Sequence, residues 1–288
     1  MELRIEHLSY TYHPGTPHET RALDDISMTI GEGEFIGMIG HTGSGKSTLV
    51  QHLNGLITPP EGTVFADGQD IAAEGYPMRK LRCRVGVVFQ NPEYQLFEPD
   101  VLSDVSFGPK NQGLSAEEAR RRAKDALRSV GLGEHYEKRS PFELSGGQKR
   151  RAAIAGILAM NPELLVLDEP TAGMDPKGRR EILHLLRRLH QEKGISIVLV
   201  SHSMEDVAQY VSRIIVLDQG KVRWDDSPRE VFVHVKELEE IGLAAPQVSY
   251  IMSRLREKGW DVDASVTTLD EAAKEILARI EERAGLVG

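Results

Sequence analysis

Nine consecutive residues constrain this chain more than any others: Gly40-His41-Thr42-Gly43-Ser44-Gly45-Lys46-Ser47-Thr48. They match the phosphate-binding pattern G-x-x-x-x-G-K-[ST] at every fixed position. Phe35-Ile36-Gly37-Met38-Ile39 before them is apolar enough for a buried strand, and Leu49-Val50-Gln51-His52-Leu53 after them can begin a helix. In that setting the glycines let backbone N–H groups turn inward around phosphate oxygens. The helix N-terminus adds the positive end of its dipole. Lys46 is then placed to reach the β- and γ-phosphates of a nucleotide, and the Ser47 hydroxyl to ligate Mg²⁺.

Bulk properties narrow the classes around that loop. A chain of 288 residues suits one or two domains with a sizeable core. A formal net charge of −9 argues against a basic face for nucleic acid, so no nucleic-acid partner is expected. Cys83 is the single cysteine, which excludes an intrachain disulfide and fits a reducing compartment. Met1-Glu2-Leu3-Arg4-Ile5 lacks the apolar region of a signal peptide. Apolar runs such as residues 195–200 fall far short of the ~20 residues that span a bilayer. The expectation is a cytoplasmic chain that meets any membrane through a partner.

Taken in order, Leu8-Ser9-Tyr10-Thr11-Tyr12 alternates as a strand does, and His13-Pro14-Gly15 breaks it. Tyr12 at that strand end either packs on the edge or stacks on a base; spacing alone favours packing. Residues 26–30 and 34–39 read as strands, and 62–71 as a hairpin turning at Asp67-Gly68. Val85-Gly86-Val87-Val88-Phe89 is another buried strand, with Gln90 at its carboxyl end. Open α/β sheets bind ligands outside those ends. An amide there ligates a metal or orients water, or is an ordinary loop residue.

Ser115 and Glu118 form a capping box opening a helix that Gly131 stops. Within Leu144-Ser145-Gly146-Gly147-Gln148, Ser145 reads as an N-cap, and the two glycines leave the first N–H groups uncovered. That suits an anion, with a plain capped helix as the alternative. Leu164-Leu165-Val166-Leu167 is a buried run of parallel-strand type ending in Asp168-Glu169-Pro170. Adjacent acids at the end of a buried strand are costly without a task. Here Asp168 would hold Mg²⁺ and Glu169 would polarise water attacking a γ-phosphate. Asp175 and Pro176 start a helix whose apolar face is Ile182, Leu185, Leu186 and Leu189. His202 follows the strand at 195–200; it can bond a phosphate oxygen, though by position alone a packed or solvated histidine fits better. Residues 213–224 close as a hairpin. Beyond about residue 238 the texture changes to two short amphipathic helices, 248–258 and 268–284. Such a pair is not expected to form a core by itself, so it should dock on the main domain or on a second subunit.

Together these pieces resemble the nucleotide-binding subunit of an ATP-binding-cassette (ABC) transporter. The resemblance implies an α/β fold: a P-loop NTPase core with a RecA-like parallel sheet, an antiparallel β subdomain and a helical signature subdomain at about 92–160. The cassette would occupy residues 1–237, and 238–288 would be a helical C-terminal extension for docking or dimerisation. ATP and Mg²⁺ are the implied ligands. Residues 40–48 would bind the nucleotide, with Tyr12 stacking on adenine. Ser47, Gln90 (the Q-loop glutamine) and Asp168 would hold the metal. Glu169, His202 (the switch histidine), Gln90 and Lys46 would form the catalytic set. Leu144 to Gln148 would be the signature, acting on a partner's ATP. Asp175 would belong to the D-loop, where Met174 stands in place of the more usual Leu.

A narrower resemblance rests on Phe89-Gln90-Asn91-Pro92-Glu93-Tyr94-Gln95-Leu96-Phe97, on Asp104-Val105-Ser106-Phe107-Gly108-Pro109, and on residues 144–160. These are similar to the ATPases of energy-coupling-factor (ECF) vitamin and metal importers. In that family two ATPases, homo- or heterodimeric, bind a transmembrane coupling protein that serves a substrate-binding membrane protein. The stretch Leu167-Asp168-Glu169-Pro170-Thr171-Ala172-Gly173 resembles the second ATPase of such pairs. The implied function is ATP hydrolysis driving uptake at the cytoplasmic face of the cell membrane. Other ABC importers are the nearest alternative, and a soluble ABC ATPase or a P-loop kinase or GTPase is more distant.

Overall fold

The computed structural model describes residues 1–283. Two sheets organise it. A six-stranded sheet has the order β10-β9-β3-β8-β7-β6 and a four-stranded antiparallel sheet the order β2-β1-β4-β5. In chain order the strands are β1 (Leu3–Tyr12), β2 (Thr20–Ile30), β3 (Phe35–Ile39), β4 (Val64–Ala66), β5 (Gln69–Asp70), β6 (Val85–Val88), β7 (Leu164–Asp168), β8 (Ser196–Val200), β9 (Arg213–Asp218) and β10 (Lys221–Asp226). Within the larger sheet β6, β7, β8, β3 and β9 run parallel, and β10 returns antiparallel as a hairpin.

The parallel strands read as continuous apolar runs because both faces are buried. Side chains alternate between two cores. In β8, Ile197 and Leu199 face one and Val198 and Val200 the other; in β9, Ile214 and Val216 oppose Ile215 and Leu217. One face is covered by helices, including α3 (Val101–Asn111), α4 (Ala116–Ser129), α5 (Gly146–Leu158), α6 (Pro176–Lys193) and α7 (Met204–Tyr210). The other face meets the antiparallel sheet together with α1 (Lys46–Leu53) and α2 (Met78–Arg84), which preceded α3 in the chain. Gly37 lets α7 approach β3: a Cβ there would lie 2.6 Å from Val207 Cγ1.

Local chemistry sets the helix starts. Ser145 Oγ accepts from Gln148 N and Gln148 Oε1 accepts from Ser145 N, a complete capping box. Asp175 accepts from Lys177 N and Gly178 N with Pro176 in the first turn, and Gly194 ends α6 at φ 65°. The expected box at Ser115 is only half formed. Ser115 caps Glu118 N, but the Glu118 carboxylate turns to Arg121 and Arg122.

The largest departure from expectation lies at the C-terminal end. Four short helices follow β10: α8 (Pro228–Phe232), α9 (Val235–Glu240), α10 (Gln247–Glu257) and α11 (Leu269–Arg283). Phe232, Leu238, Leu243 and Ala245 belong to the main core, so a division after residue 237 cuts through that core. Beyond Pro246, Val248, Met252, Val262, Val266 and Ala272 form a small core of their own. The loop from Trp260 to Thr267 supplies apolar residues that a two-helix reading leaves out. Arg229 ties this unit to α8, reaching Asp263 Oδ2 at 3.2 Å and Glu271 Oε1 at 2.7 Å. Ala284, the expected end of the last helix, lies outside the described residues. No described helix is long and apolar enough to cross a membrane.

Candidate functional site

Strands β3, β8, β7 and β6 are neighbours and run parallel, so the loops at their carboxyl ends emerge at one edge. Those loops carry residues 40–45, His202, Asp168-Glu169 and Gln90. They meet in a cleft of about 440 Å³ lined by Tyr12, Thr42, Gly43, Gly45, Lys46, Ser47, Thr48, Gln90, Asp168, Glu169 and His202.

The loop between β3 and α1 is wound tightly. A Cβ on Gly40 would lie 2.4 Å from Leu217 O, and one on Gly45 2.5 Å from Ala22 O. A main-chain bond from Gly220 N to Ser44 O pins it to the β9–β10 turn, and one from Asp24 N to Gly220 O ties β2 to the same turn. Lys46 is buried, and its ammonium donates to Gly40 O at 2.7 Å, His41 O at 2.9 Å and Ser44 Oγ at 3.4 Å. Burial lowers its pKa, against the opposing pull of Glu169 and Asp168. Gly40, His41 and Ser44 do not line the cleft. Ser44 is fully buried under the lysine, and His41 turns toward Asp218 Oδ1 at 3.2 Å. Their contribution to a ligand would come through the backbone.

Ser47 Oγ donates to Asp168 Oδ2 at 3.1 Å, which sets a hydroxyl beside a carboxylate. Glu169 adopts the left-handed φ of 52°, costly for a side chain with a Cβ, and its N–H is held by Val200 O at 3.1 Å. Its carboxyl is pushed up to about 7, by burial first and by Asp168 second, with the His202 backbone amide, Lys46 and Arg179 acting the other way. Glu169 Oε1 is buried without a hydrogen-bond partner; His202 Nε2 lies 3.3 Å away, out of line for one. Burial, then Lys46, lowers the His202 pKa. Tyr12 OH is 3.3 Å from Thr48 Oγ1, and its ring stands edge-on to Tyr10 at 4.9 Å.

The residues 144–148 and Asp175 are not in this cleft. Ser145, Gly146, Gly147, Gly173, Met174 and Asp175 line a second cavity of about 450 Å³. Leu144 is buried in the core, and Gln148 is occupied by the capping box and by Tyr136 OH at 3.0 Å. Of this stretch, Ser145 and the two glycines are the residues that face the cavity.

Sequence reasoning missed Thr20, Arg21 and Ala22, which wall the first cleft. They belong to β2, which starts six residues earlier than its apolar pattern indicates, at Thr20 rather than residue 26. Its early part is polar and half exposed, so alternation gives little signal there. It also gave no role to Arg150, which stands within the charged run Lys149-Arg150-Arg151. Its burial depends on Glu93, distant in sequence, as the bonding partner.

Comparison with known proteins identifies the family. The family described as ABC transporter matches residues 23–172. An energy-coupling factor transporter ATP-binding protein EcfA2 of Clostridium tetani is 52% identical, covering 99% of both chains. Its counterpart in Clostridium acetobutylicum is 51% identical over 98% of this chain and 99% of that one. Among solved structures, cbiO1 of Clostridium perfringens, described as part of the ABC transporter complex cbiONQ, superposes with a TM-score of 0.73 at 40% identity, covering 87% of this chain and 98% of that one. A dimeric ATP-binding cassette in a post-hydrolysis state bound to ADP and Pi superposes at 0.68 with 33% identity, covering 78% and 98%. The chain belongs to the ABC transporter family and is an ATPase of its energy-coupling factor branch.

Proposed function

We propose that this ATPase is the motor of an ECF-type importer for a vitamin or transition-metal micronutrient. It would work at the cytoplasmic face of the membrane, paired with a second ATPase and bound to a transmembrane coupling protein that serves a substrate-binding membrane protein. The observation that carries the mechanism is the division of the site. Phosphate-binding and acid–base groups share one cleft, while the uncovered helix N-terminus at Ser145 lines another cavity. Each chain would therefore bring its Ser145–Gly147 amides to the γ-phosphate in the other chain's loop.

Lys46 would exchange its carbonyl acceptors for phosphate oxygens, gaining charge-assisted bonds. Ser47, Asp168 and Gln90 offer only hard oxygen donors, the set that suits Mg²⁺, and the Ser47–Asp168 contact already places two of them together. When bound, that ion would neutralise charge on the β- and γ-phosphate oxygens. Glu169 would orient the attacking water and accept its proton; an Oε1 that is buried and unpartnered is available for that. His202 and Lys46 would stabilise charge on the γ-phosphate. Tyr12 would offer its ring to the base.

A groove of about 280 Å³ beside Leu96, Phe97, Phe107, Ile157 and Met160 supports the membrane partner. Phe97 and Phe107 are exposed and stand edge-on at 5.0 Å. Exposed aromatics around a groove mark a docking site, here for a helix of the coupling protein. C-terminal apolar side chains such as Leu269 and Leu277 remain exposed and would serve the ATPase pair.

The test is a tagged chain extracted from its native membrane in mild detergent. A second ATPase and two membrane proteins should come with it, and hydrolysis should fall faster than linearly on dilution of the ATPase alone. Recovery on ribosomes or nucleic acid, or hydrolysis linear down to monomeric dilution, refutes the reading.

A further inference from the structure

Arg150 lies on α5, five residues after the Ser145 cap, and is 4% exposed. Its guanidinium joins two distant segments. Nε and Nη2 grip the Glu93 carboxylate at 2.9–3.2 Å. Nη1 donates to Pro170 O at 3.0 Å and Ala172 O at 2.9 Å. Glu93 stands three residues after Gln90, in a single turn spanning Pro92–Gln95. The next residues, Gln95 to Phe97, line the aromatic groove. Pro170 and Ala172 directly follow Glu169 and lead to Asp175. One planar, rigid cation thus holds the groove wall by one edge and the Glu169 loop by the other.

We infer that Arg150 is a positioning residue that conveys displacement of the groove to the loop carrying Glu169 and Asp175. Tyr94, beside Glu93, is 85% exposed, so little else packs over that turn from outside. A helix seated in the groove would move Glu93. A half-buried carboxylate that leaves a buried guanidinium strands that cation without its counter-charge, so Arg150 follows it. Because the fork is planar, the Nη1 edge turns with it and shifts the carbonyls of residues 170 and 172. The same movement is carried along α5 to the Ser145 amides. Groove occupancy, water positioning and the surface offered to the second chain are then set by one side chain.

This inference rests on the proposed membrane partner, and its test separates the two. The assembled transporter in lipid is compared with the ATPase pair alone, taking the ratio of their hydrolysis rates. Arg150→Lys keeps the charge but cannot span both edges; Glu93→Gln keeps the shape and weakens the grip. Each should cut the ratio about tenfold, with KM for ATP changed by less than about twofold, and the double substitution should cut it no further than either alone. Melting temperature identifies which variants are folded, and either single variant suffices. A wild-type ratio of one overturns the proposed function and this inference with it. A raised wild-type ratio that both folded variants retain, or effects that add in the double variant, overturns the inference alone, since a residue that merely packs would change stability and leave the ratio in place.

Discussion

Replacing Glu169 by Gln should stabilise the nucleotide-free chain at alkaline pH, even though it removes the proposed water-orienting group. The carboxyl is pushed up to about 7 from an ordinary 4.5 by burial and by Asp168. The folded state therefore holds a proton that the unfolded state releases between those values. Its favourable contribution is complete below pH 4.5, declines as pH rises, and is gone above 7. At about 1.4 kcal/mol per pH unit, the gap corresponds to about 3 kcal/mol against the wild type at pH 8. That value already contains the attraction between Glu169 and Lys46, which acts against the shift. The gain for Glu169→Gln is therefore about 3 kcal/mol, or a rise in Tm of about 6–12 °C for a chain of this size. Calorimetry with a chelator and no nucleotide should show the rise at pH 8 and its disappearance near pH 4.5. A variant that melts below wild type at pH 8, or a difference that does not vary with pH, would refute the reasoning.

Three further outcomes follow from the geometry. Lys46→Met removes the buried ammonium and should weaken ATP binding by about 10–100-fold, read by titration calorimetry. Ser145→Ala removes the hydroxyl that accepts from Gln148 N, one of the two bonds of the capping box, so Tm should fall by about 2–4 °C; ATP hydrolysis by the pair should fall much further than that loss of stability explains. Phe107→Glu, at an exposed ring, should change stability by less than about 1 kcal/mol yet abolish co-purification of the membrane partner.

The sequence is most legible where one backbone geometry demands particular residues. Residues 40–48 stand out because backbone oxygens lie within 2.5 Å of where a Cβ on Gly40 or Gly45 would stand. The buried strands at 85–88, 164–168 and 196–200 read correctly because parallel strands covered on both faces carry unbroken apolar runs. Legibility ends where a residue's role depends on chain distant in sequence. The polar start of β2 becomes a wall of the cleft only through its pairing with β1 and the close approach of Ala22 to Gly45. Glu169 shows as an acid in the sequence, but its left-handed backbone and its bond to Val200 O, distant in sequence, do not. The C-terminal helices read as too short for a core because Val262 and Val266, in the loop between them, complete it.

On the proposed division of the site, the two cavities also explain why a single chain would be an incomplete catalyst. The helix that begins at Ser145 cannot swing toward its own phosphate loop while the fold is intact. Its apolar side, including Ala152, Ile154, Ala155 and Leu158, is set in the same core as Leu165 and Leu167 of β7. Arg150 further ties it to the carbonyls beyond Glu169. Moving α5 would strip that apolar surface and expose a buried ion pair, a cost that a few amide contacts to phosphate cannot meet. On the same proposal, rigid attachment of α5 to the loop bearing Glu169 has a positive consequence as well. A second chain that draws the Ser145 amides onto its own nucleotide also acts on the loop bearing Glu169 in the first. The features that would prevent self-sufficiency are therefore the ones through which two sites in a pair would sense each other.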